Sequence, residues 1–207
     1  MREYLKFSRH RIIHSIIAEL FDLLDMIIVS MFCIVLLFTY VFHIATVNGS
    51  SMYPTMVTDD QLLVNNLAGQ PQAGDILIIN VKNANLLDAE GEVYTDEGLG
   101  KTIVKRVIAV ENDVVDIDFE TGVVIVNGEA LEENYVNTPT TSPVSGGAFE
   151  YPITIPEGYV FVMGDNRDVS LDSRYRSVGL VHKSDISGKV VLRIYPWEDF
   201  GPLTVKE

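Results

Sequence analysis

Two adjacent serines, Ser50 and Ser51, lie in the stretch NGSSMYPTM at residues 48–56. A serine hydroxyl becomes a useful nucleophile when a neighbouring base removes its proton, and it can then attack a carbonyl carbon. The stretch directly follows a long apolar run, so a polar collar beside a membrane would explain the same residues. Residue types alone do not choose between the two serines.

The histidines provide no convincing base for either serine. They fall at positions 10, 14, 43 and 182, which is too scattered for a metal site, and we expect neither a metal nor another cofactor. We predict that the first two precede a membrane span and that His43 lies within it. Only His182 would then share a domain with the serines, and we interpret it as a surface residue.

Lysine is the alternative base, because Ser-Lys pairs perform the same proton transfer. Such a lysine must be neutral, so burial has to lower its pKa from about 10.4. In KTIVKRVIAV, at residues 101–110, a strand would place Lys105 and Arg106 on opposite faces, each among apolar neighbours. A buried Lys105 would be neutral, whereas Arg106 would need a carboxylate partner. An edge strand with both charges in solvent fits the pattern equally well.

A third polar cluster, MGDNRDVSLDSR, occupies residues 163–174 directly after the apolar run YVFV. A solvated turn is the ordinary interpretation of a charge-rich segment. Here, however, matched opposite charges and hydroxyl groups lie close together, which favours a hydrogen-bonded network.

The element that would hold these residues at a surface is an apolar segment near the N-terminus. Residues 26–47, 22 in number, contain no Asp, Glu, Lys or Arg, and as a helix they would match the ~30 Å core of a bilayer. A cleaved secretory signal would have a shorter apolar core than this one. We predict a cytoplasmic or interfacial amphipathic segment at 1–25, a transmembrane signal anchor at 26–47 and an extracytoplasmic β-rich domain at 48–207. Residues 1–25 could equally extend the membrane helix.

Charge predicts the direction of insertion and excludes one class of partner. Four basic residues precede the apolar segment, which favours a cytoplasmic N-terminus and a single-pass protein of the cell membrane, with the lipid bilayer as a partner. Residues 1–47 hold four basic and four acidic side chains, so the net charge of −14 falls entirely on the outer domain. Such a domain would repel phosphate backbones, and we expect no nucleic-acid partner.

The outer domain has the pattern of an antiparallel β domain tethered by one N-terminal helix. Short runs rich in Val and Ile predict strands, and Asn127–Gly128 and residues 120–122 predict tight turns. Residues 83–100 and 132–150 lack this pattern and are predicted to be surface loops. The predicted strands are DQLLVNN, DILIIN, TIVKRVIAV, DVVDID, GVVIVNG, YVFVMG and KVVLRIY.

The order and spacing of three segments resemble those of the bacterial type I signal peptidases. These segments are SMYPT after a membrane anchor, KR within a strand, and GDNRD-x-S-x-DSR; Gly74-Asp75 in GDILIIN matches a further motif. The resemblance covers the anchor and nearly all of the outer domain, and the single span is similar to that of Gram-positive members. It implies a serine endopeptidase with a signal-peptidase-like β fold that removes signal peptides from exported preproteins after small, A-x-A-like residues.

The resemblance also implies roles for individual residues. Ser51 would be the nucleophile, with its backbone N–H binding the oxyanion; Lys105 would be the general base, and Ser170 would orient that lysine through a hydrogen bond. Gly49 occupies a position where members with a longer, two-span anchor region often have a serine and many single-span Gram-positive members have glycine, so a further oxyanion donor is expected. The positions implied to be structural near the site are Gly164, Asp165, Arg167, Asp172, Arg174 and Arg106, of which Asp172 and Arg174 form an ion pair.

The implied partners are preprotein signal peptides, the bilayer and a nearby secretion translocon. A non-catalytic β module that assists secretion or pilus assembly is one alternative, although both Ser51 and Lys105 are present. Another is a Ser-Lys protease of related fold, such as a self-cleaving repressor. The anchor, and the lack of a DNA-binding segment, disfavour that alternative. A specialised substrate set stays open.

Overall fold

The computed structural model describes residues 2–67 and 69–203, with side chains of the first helix described from residue 14 onward. Helix α1 (Arg2–Tyr40) forms one compact unit with its flanking residues, and the second unit is His43–Glu207. Within α1, His14–Tyr40 is long and apolar enough to cross a membrane, and its apolar side chains are exposed. Residues 2–25 therefore extend the helix, which was one of the two predicted alternatives.

The helix ends earlier than the apolar composition predicts. Its last residue is Tyr40, and Phe42–Thr46 form a β-strand instead of the end of a span reaching Val47. The absence of charged residues does not show where the helix ends, because an edge strand of a sheet can be as apolar as the end of a membrane helix.

The second unit contains two antiparallel sheets, which confirms the predicted fold class. The larger sheet has the strand order β1-β2-β11-β3-β4-β9-β10, and the smaller has the order β7-β6-β5-β8. The pairings from β2 across to β10, and those of the smaller sheet, are all antiparallel. The strands are β1 (Phe42–Thr46), β2 (Gln61–Asn65), β3 (Ile76–Leu87), β4 (Val93–Ala109), β5 (Val114–Asp118), β6 (Val123–Val126), β7 (Glu129–Ala130), β8 (Ile153–Thr154), β9 (Tyr159–Met163), β10 (Val181–His182) and β11 (Ile186–Tyr195).

All seven predicted strands are present, but the prediction of a loop at residues 83–100 is wrong. This segment forms the outer half of a long hairpin in which β3 and β4 pair as far as Leu87 and Val93. Most side chains of β4 before residue 103 are exposed, so hydrophobic alternation is missing, although the backbone pairing resumes beyond an irregularity between Val81 and Asn83. Residues 132–150 lack regular strands, as predicted, and Asn127–Gly128 form the tight turn between β6 and β7.

The core is divided into three apolar clusters that support different parts of the domain. One joins β4 and β9 to the smaller sheet, with Phe161 and Met163 fully buried at its centre. A second lies beneath residues 47–56 and includes Met52 and Met56. A third lies against β3, β4 and β9. Burying one such side chain contributes about 1.5–3 kcal/mol, so these clusters fix the segments around β4.

Candidate active site

Lys105 lies beside one of the two serines. Its Nζ is 2.8 Å from Ser51 Oγ and donates a second hydrogen bond of 2.8 Å to Val104 O. The residue is 2 % exposed, because β4 lies between β3 and β9 and packing covers both of its faces here. The edge-strand alternative is therefore wrong, and the sheet holds the lysine amine directly against the serine hydroxyl.

Burial lowers the pKa of Lys105 from 10.5 to about 8. Removal of the ammonium group from water is the largest cause, because a low-dielectric environment disfavours the charged form. The nearby carboxylates of Asp172 and Asp165 oppose this effect, whereas the positive charge of Lys101 adds to it. At pH 7 roughly a tenth of the lysine is then neutral, compared with about one part in 3,000 for an unperturbed side chain.

The loop that carries the serines is anchored by apolar side chains. Met52 and Met56 are buried in the cluster beneath the loop, and the N–H of Met56 donates to Met52 O at 3.0 Å. Ser51 is half-buried next to Met52, whereas Ser50 is exposed. Burial of Met52 thus turns its neighbour Ser51 toward Lys105, and of the two serines only Ser51 contacts the lysine.

Ser51 and Lys105 both line an open cleft of about 640 Å³. The cleft runs along residues 99–105 of β4 on one side and residues 45–52 on the other. Apolar side chains form much of its lining, including Ile78, Val104 and Leu171. An extended peptide with small apolar side chains would fit this shape and chemistry.

Arg106, which follows Lys105, forms the buried ion pair that the sequence requires of it. Its Nε and Nη2 donate to the two carboxylate oxygens of Asp165 at 2.8 and 2.6 Å. Thr55 Oγ1 donates to the same carboxylate at 2.5 Å, and the guanidinium lies 4.1 Å from the centre of the Tyr135 ring. These contacts connect β4, the serine loop and the segment after β9.

The other predicted structural residues form a second network beneath the site. Arg174 pairs with Asp172 at 2.8 and 2.9 Å, and Asp172 also accepts the N–H of Gly164 at 3.0 Å. Arg167 donates to Gly164 O at 3.0 Å and forms an ion pair with Glu133. A Cβ atom on Gly164 would lie 2.4 Å from Ser51 O, so only glycine allows this close approach of the two loops.

Ser170 does not make the hydrogen bond that the resemblance implies. Its Oγ is buried and has no hydrogen-bond partner among the described residues, while Lys105 Nζ donates to Ser51 and Val104. The hydroxyl lies instead against Gly164, where an added Cβ would approach it to 2.2 Å. Lys105 Nζ donates to Ser51 Oγ and Val104 O, and no hydrogen bond joins Ser170 to it within the described residues.

The predicted position of His43 is wrong, because the helix ends at Tyr40. His43 lies in β1 and lines the cleft, with its Nδ1 2.6 Å from Asn66 Oδ1. His182 lies in β10, half-buried, with Nδ1 2.7 Å from Ser184 Oγ and its ring packed edge-on against Tyr159. Ser51 contacts neither histidine, and its neighbour in the site is the lysine.

Several supporting residues were not identified from the sequence. Glu133 and Thr140, which hold the guanidinium of Arg167, lie in a segment whose only signal was its polarity. Arg193 is buried in an ion pair with Asp60 and also donates to Thr55 O in the serine loop. An arginine inside the apolar run KVVLRIY was a usable signal, since a buried guanidinium requires a carboxylate.

A lysine held against a serine hydroxyl in an open cleft is an arrangement found in serine hydrolases. The profile of one protein family, described as signal peptidase, peptidase S26, matches residues 20–195. The chain belongs to this family, and it is a serine endopeptidase.

The chain is similar to individual proteins whose names and coverage are as follows. A probable signal peptidase I-2 of Synechocystis is 31% identical over 80% of this chain and 69% of its own length. A signal peptidase I of Bacillus amyloliquefaciens is 30% identical over 84% of each chain. A crystal structure of a signal peptidase I from Enterococcus faecalis covers 58% of this chain and 96% of its own, with 25% identity and a TM-score of 0.39.

Proposed function

We propose that this protein removes signal peptides from exported preproteins by a Ser-Lys mechanism. The observation that carries the proposal is the 2.8 Å separation between Lys105 Nζ and Ser51 Oγ, combined with a lysine pKa lowered to about 8. Membership of the signal peptidase family supports the substrate class.

In this mechanism neutral Lys105 accepts the proton of Ser51 as Oγ attacks the scissile carbonyl. The resulting oxyanion is bound by the backbone N–H of Ser51, which makes no hydrogen bond within the described part of the chain. The lysine then donates its proton to the leaving amine, which completes the acyl-enzyme. Lys105, neutral again, activates a water molecule that hydrolyses the ester and frees Ser51.

The cleft supports a preference for small residues before the cleaved bond. Its lining is about half apolar, and the branched side chains of Ile78, Val104 and Leu171 contribute to it. We propose that residues of the A-x-A type bind there in an extended conformation, because larger side chains would meet these branched neighbours.

The apolar helix supports a membrane location for the reaction. We propose that the basic N-terminal residues stay in the cytoplasm, that His14–Tyr40 crosses the bilayer, and that the β domain lies on the outer side near the translocon. Anchoring would raise the effective concentration of the cleft where preproteins emerge.

Cleavage of a purified preprotein in detergent or lipid tests this function. The wild-type protein should cut once, after an A-x-A site, whereas Ser51→Ala and Lys105→Ala should each lower kcat by several orders of magnitude. Ser187→Ala and Lys82→Ala replace exposed residues of the same types on β11 and β3 and should keep full activity. Undiminished cleavage by either site variant would refute the mechanism, and no cleavage by the wild type would favour a non-catalytic module.

A further inference from the structure

Asn166 holds the two carbonyl groups on either side of the Ser51 Cα atom. Its side-chain Nδ2 donates to Ser50 O at 3.0 Å, and its backbone N–H donates to Ser51 O at 3.0 Å. Asn137 Nδ2 donates in turn to Asn166 Oδ1 at 3.0 Å, which keeps the Nδ2 end of the amide turned toward the serine loop. Asn166 therefore fixes the peptide groups that precede and follow Ser51.

This contact, together with a 3.1 Å bond from Tyr53 N–H to Ser50 O, sets the direction of the Ser51 N–H. The peptide bond between Ser50 and Ser51 is trans, since the cis bonds of the chain lie at other positions, and in a trans peptide the C=O and N–H point in opposite directions. Because the Ser50 carbonyl points at Asn166, the Ser51 N–H points away from it. Within the described residues that N–H has no hydrogen-bond partner, and Ser51 lines the cleft.

We propose that Asn166 is a positioning residue that aims the Ser51 N–H into the cleft as the oxyanion donor, an inference that rests on the proposed function. A preorganised donor stabilises a developing negative charge because it needs no reorientation during the reaction. The Ser51 N–H is then especially important for binding the oxyanion, because Gly49 has no side chain that could donate a second hydrogen bond. Asparagine suits the position because it presents a side-chain donor while its Oδ1 accepts from Asn137.

Substitution of Asn166 should affect the chemical step and leave substrate binding nearly intact. In Asn166→Ala the backbone bonds from Asn166 N–H to Ser51 O and from Tyr53 N–H to Ser50 O remain. Only the side-chain bond to Ser50 O is lost, which leaves the Ser50–Ser51 peptide held by one donor instead of two. We expect kcat to fall on the order of tenfold to a hundredfold, less than the ~10²–10³ that follows deletion of a donor. KM should change less than about threefold, because the cleft lining is unaltered.

Two peptide ligands separate this role from a general loosening of the loop. The first ligand is a peptide aldehyde that ends at the cleavage-site residue. Ser51 Oγ adds to its aldehyde carbon, and the former aldehyde oxygen then occupies the oxyanion position. Its affinity should fall in Asn166→Ala by the same factor as kcat. A reduced-bond peptide of the same sequence has no carbonyl oxygen there and should bind the variant as tightly as the wild type.

Thr138→Val is the matched control. It removes the 2.8 Å bond from Thr138 Oγ1 to Asp168 and a 3.4 Å bond to Asn137 Oδ1, but it keeps the bond from Asn137 Nδ2 to Asn166 and does not touch the Ser50–Ser51 peptide. We expect it to keep wild-type kcat and aldehyde affinity.

The inference is overturned if Asn166→Ala has normal kcat, or if both peptides lose affinity equally. It is also overturned if Thr138→Val lowers kcat as much as Asn166→Ala does. Failure of the proposed function gives a different result, since Ser51→Ala would then cleave substrate.

Discussion

Lys101 provides a way to shift the titration of Lys105 without touching the reacting atoms. Both residues lie on β4 and line the cleft, and Lys101 is exposed. Its positive charge adds to the lowering of the Lys105 pKa that burial causes. Lys101→Met should therefore raise that pKa, so a smaller fraction of Lys105 is neutral at pH 7 and cleavage slows.

The size of this effect follows from the strand geometry. Four residues at about 3.3 Å each separate the two lysines by roughly 13 Å. By Coulomb's law, the charge of Lys101 at that distance changes the neutral fraction of Lys105 by a factor of about 2 if the dielectric constant is that of water. The factor is about 9 if the effective dielectric constant is near 20. We expect the rate of the variant at pH 7 to be lower by a factor between these limits.

The assay is kcat/KM against pH for the wild type, Lys101→Met and the charge-preserving Lys101→Arg. The wild-type rate should rise about tenfold per pH unit and level off near the Lys105 pKa of about 8. The methionine variant should reach the same plateau at higher pH, and the arginine variant should overlay the wild type. In 1 M salt the difference should shrink, because the screening length falls from about 10 Å at 0.1 M to about 3 Å.

Two results would refute this reasoning. A wild-type rate that stays constant from pH 8 down to pH 6 would mean that no neutral lysine is needed. A displacement of the methionine profile toward lower pH would mean that Lys101 does not act on Lys105 through its charge.

Three further variants, together with one control variant, test the supporting structure. Gly164→Ala should abolish cleavage of a preprotein, since its Cβ would lie 2.4 Å from Ser51 O and 2.2 Å from Ser170 Oγ; activity near the wild-type level would contradict the observed loop contact. Asp165→Asn should lower the free energy of unfolding by about 3–5 kcal/mol, because it leaves Arg106 charged, buried and unpaired. In the same urea titration Asp96→Asn, in an exposed pair with Arg176 at 3.9 Å, should cost about 1 kcal/mol or less. Ser170→Ala should leave that free energy unchanged or about 1 kcal/mol higher, because the buried hydroxyl it removes has no hydrogen-bond partner in the described chain; a clear loss of stability would show that the hydroxyl is bonded.

The sequence predicted best those features that depend on local pattern. Apolar runs predicted seven strands at least in part, but neither β1 nor the outer halves of β3 and β4. Inside one of these runs, Lys105 and Arg106 indicated two buried basic residues, of which only the arginine requires a carboxylate. The carboxylate that Arg106 requires lies 59 residues further along the chain. Local pattern does not identify such a distant partner. The pairing of β4 with β9 must be known first, because it brings Asp165 next to Arg106.

The failures have physical causes of the same kind. In residues 83–100 the β3 part buries Ala84, Asn85 and Leu86 in succession, whereas most side chains of the β4 part are exposed, so neither part shows the alternating pattern of a half-buried strand. The end of α1 could not be placed, because Phe42–Thr46 are as uncharged as the helix before them. Ser170 and Asn166 lie in one recognisable motif, but their contacts depend on how closely Gly164 lets the serine loop approach.

The most direct test of the central claim is to find which serine becomes acylated. A peptide ester with alanine at the cleaved position can be mixed with the protein, quenched in acid within one turnover, and the digested chain analysed by fragment mass spectrometry. We predict the acyl mass on Ser51, retained in Ser50→Ala and lost in Ser51→Ala and Lys105→Ala. An acyl group on Ser50, or continued turnover of the ester by Ser51→Ala, would contradict the account.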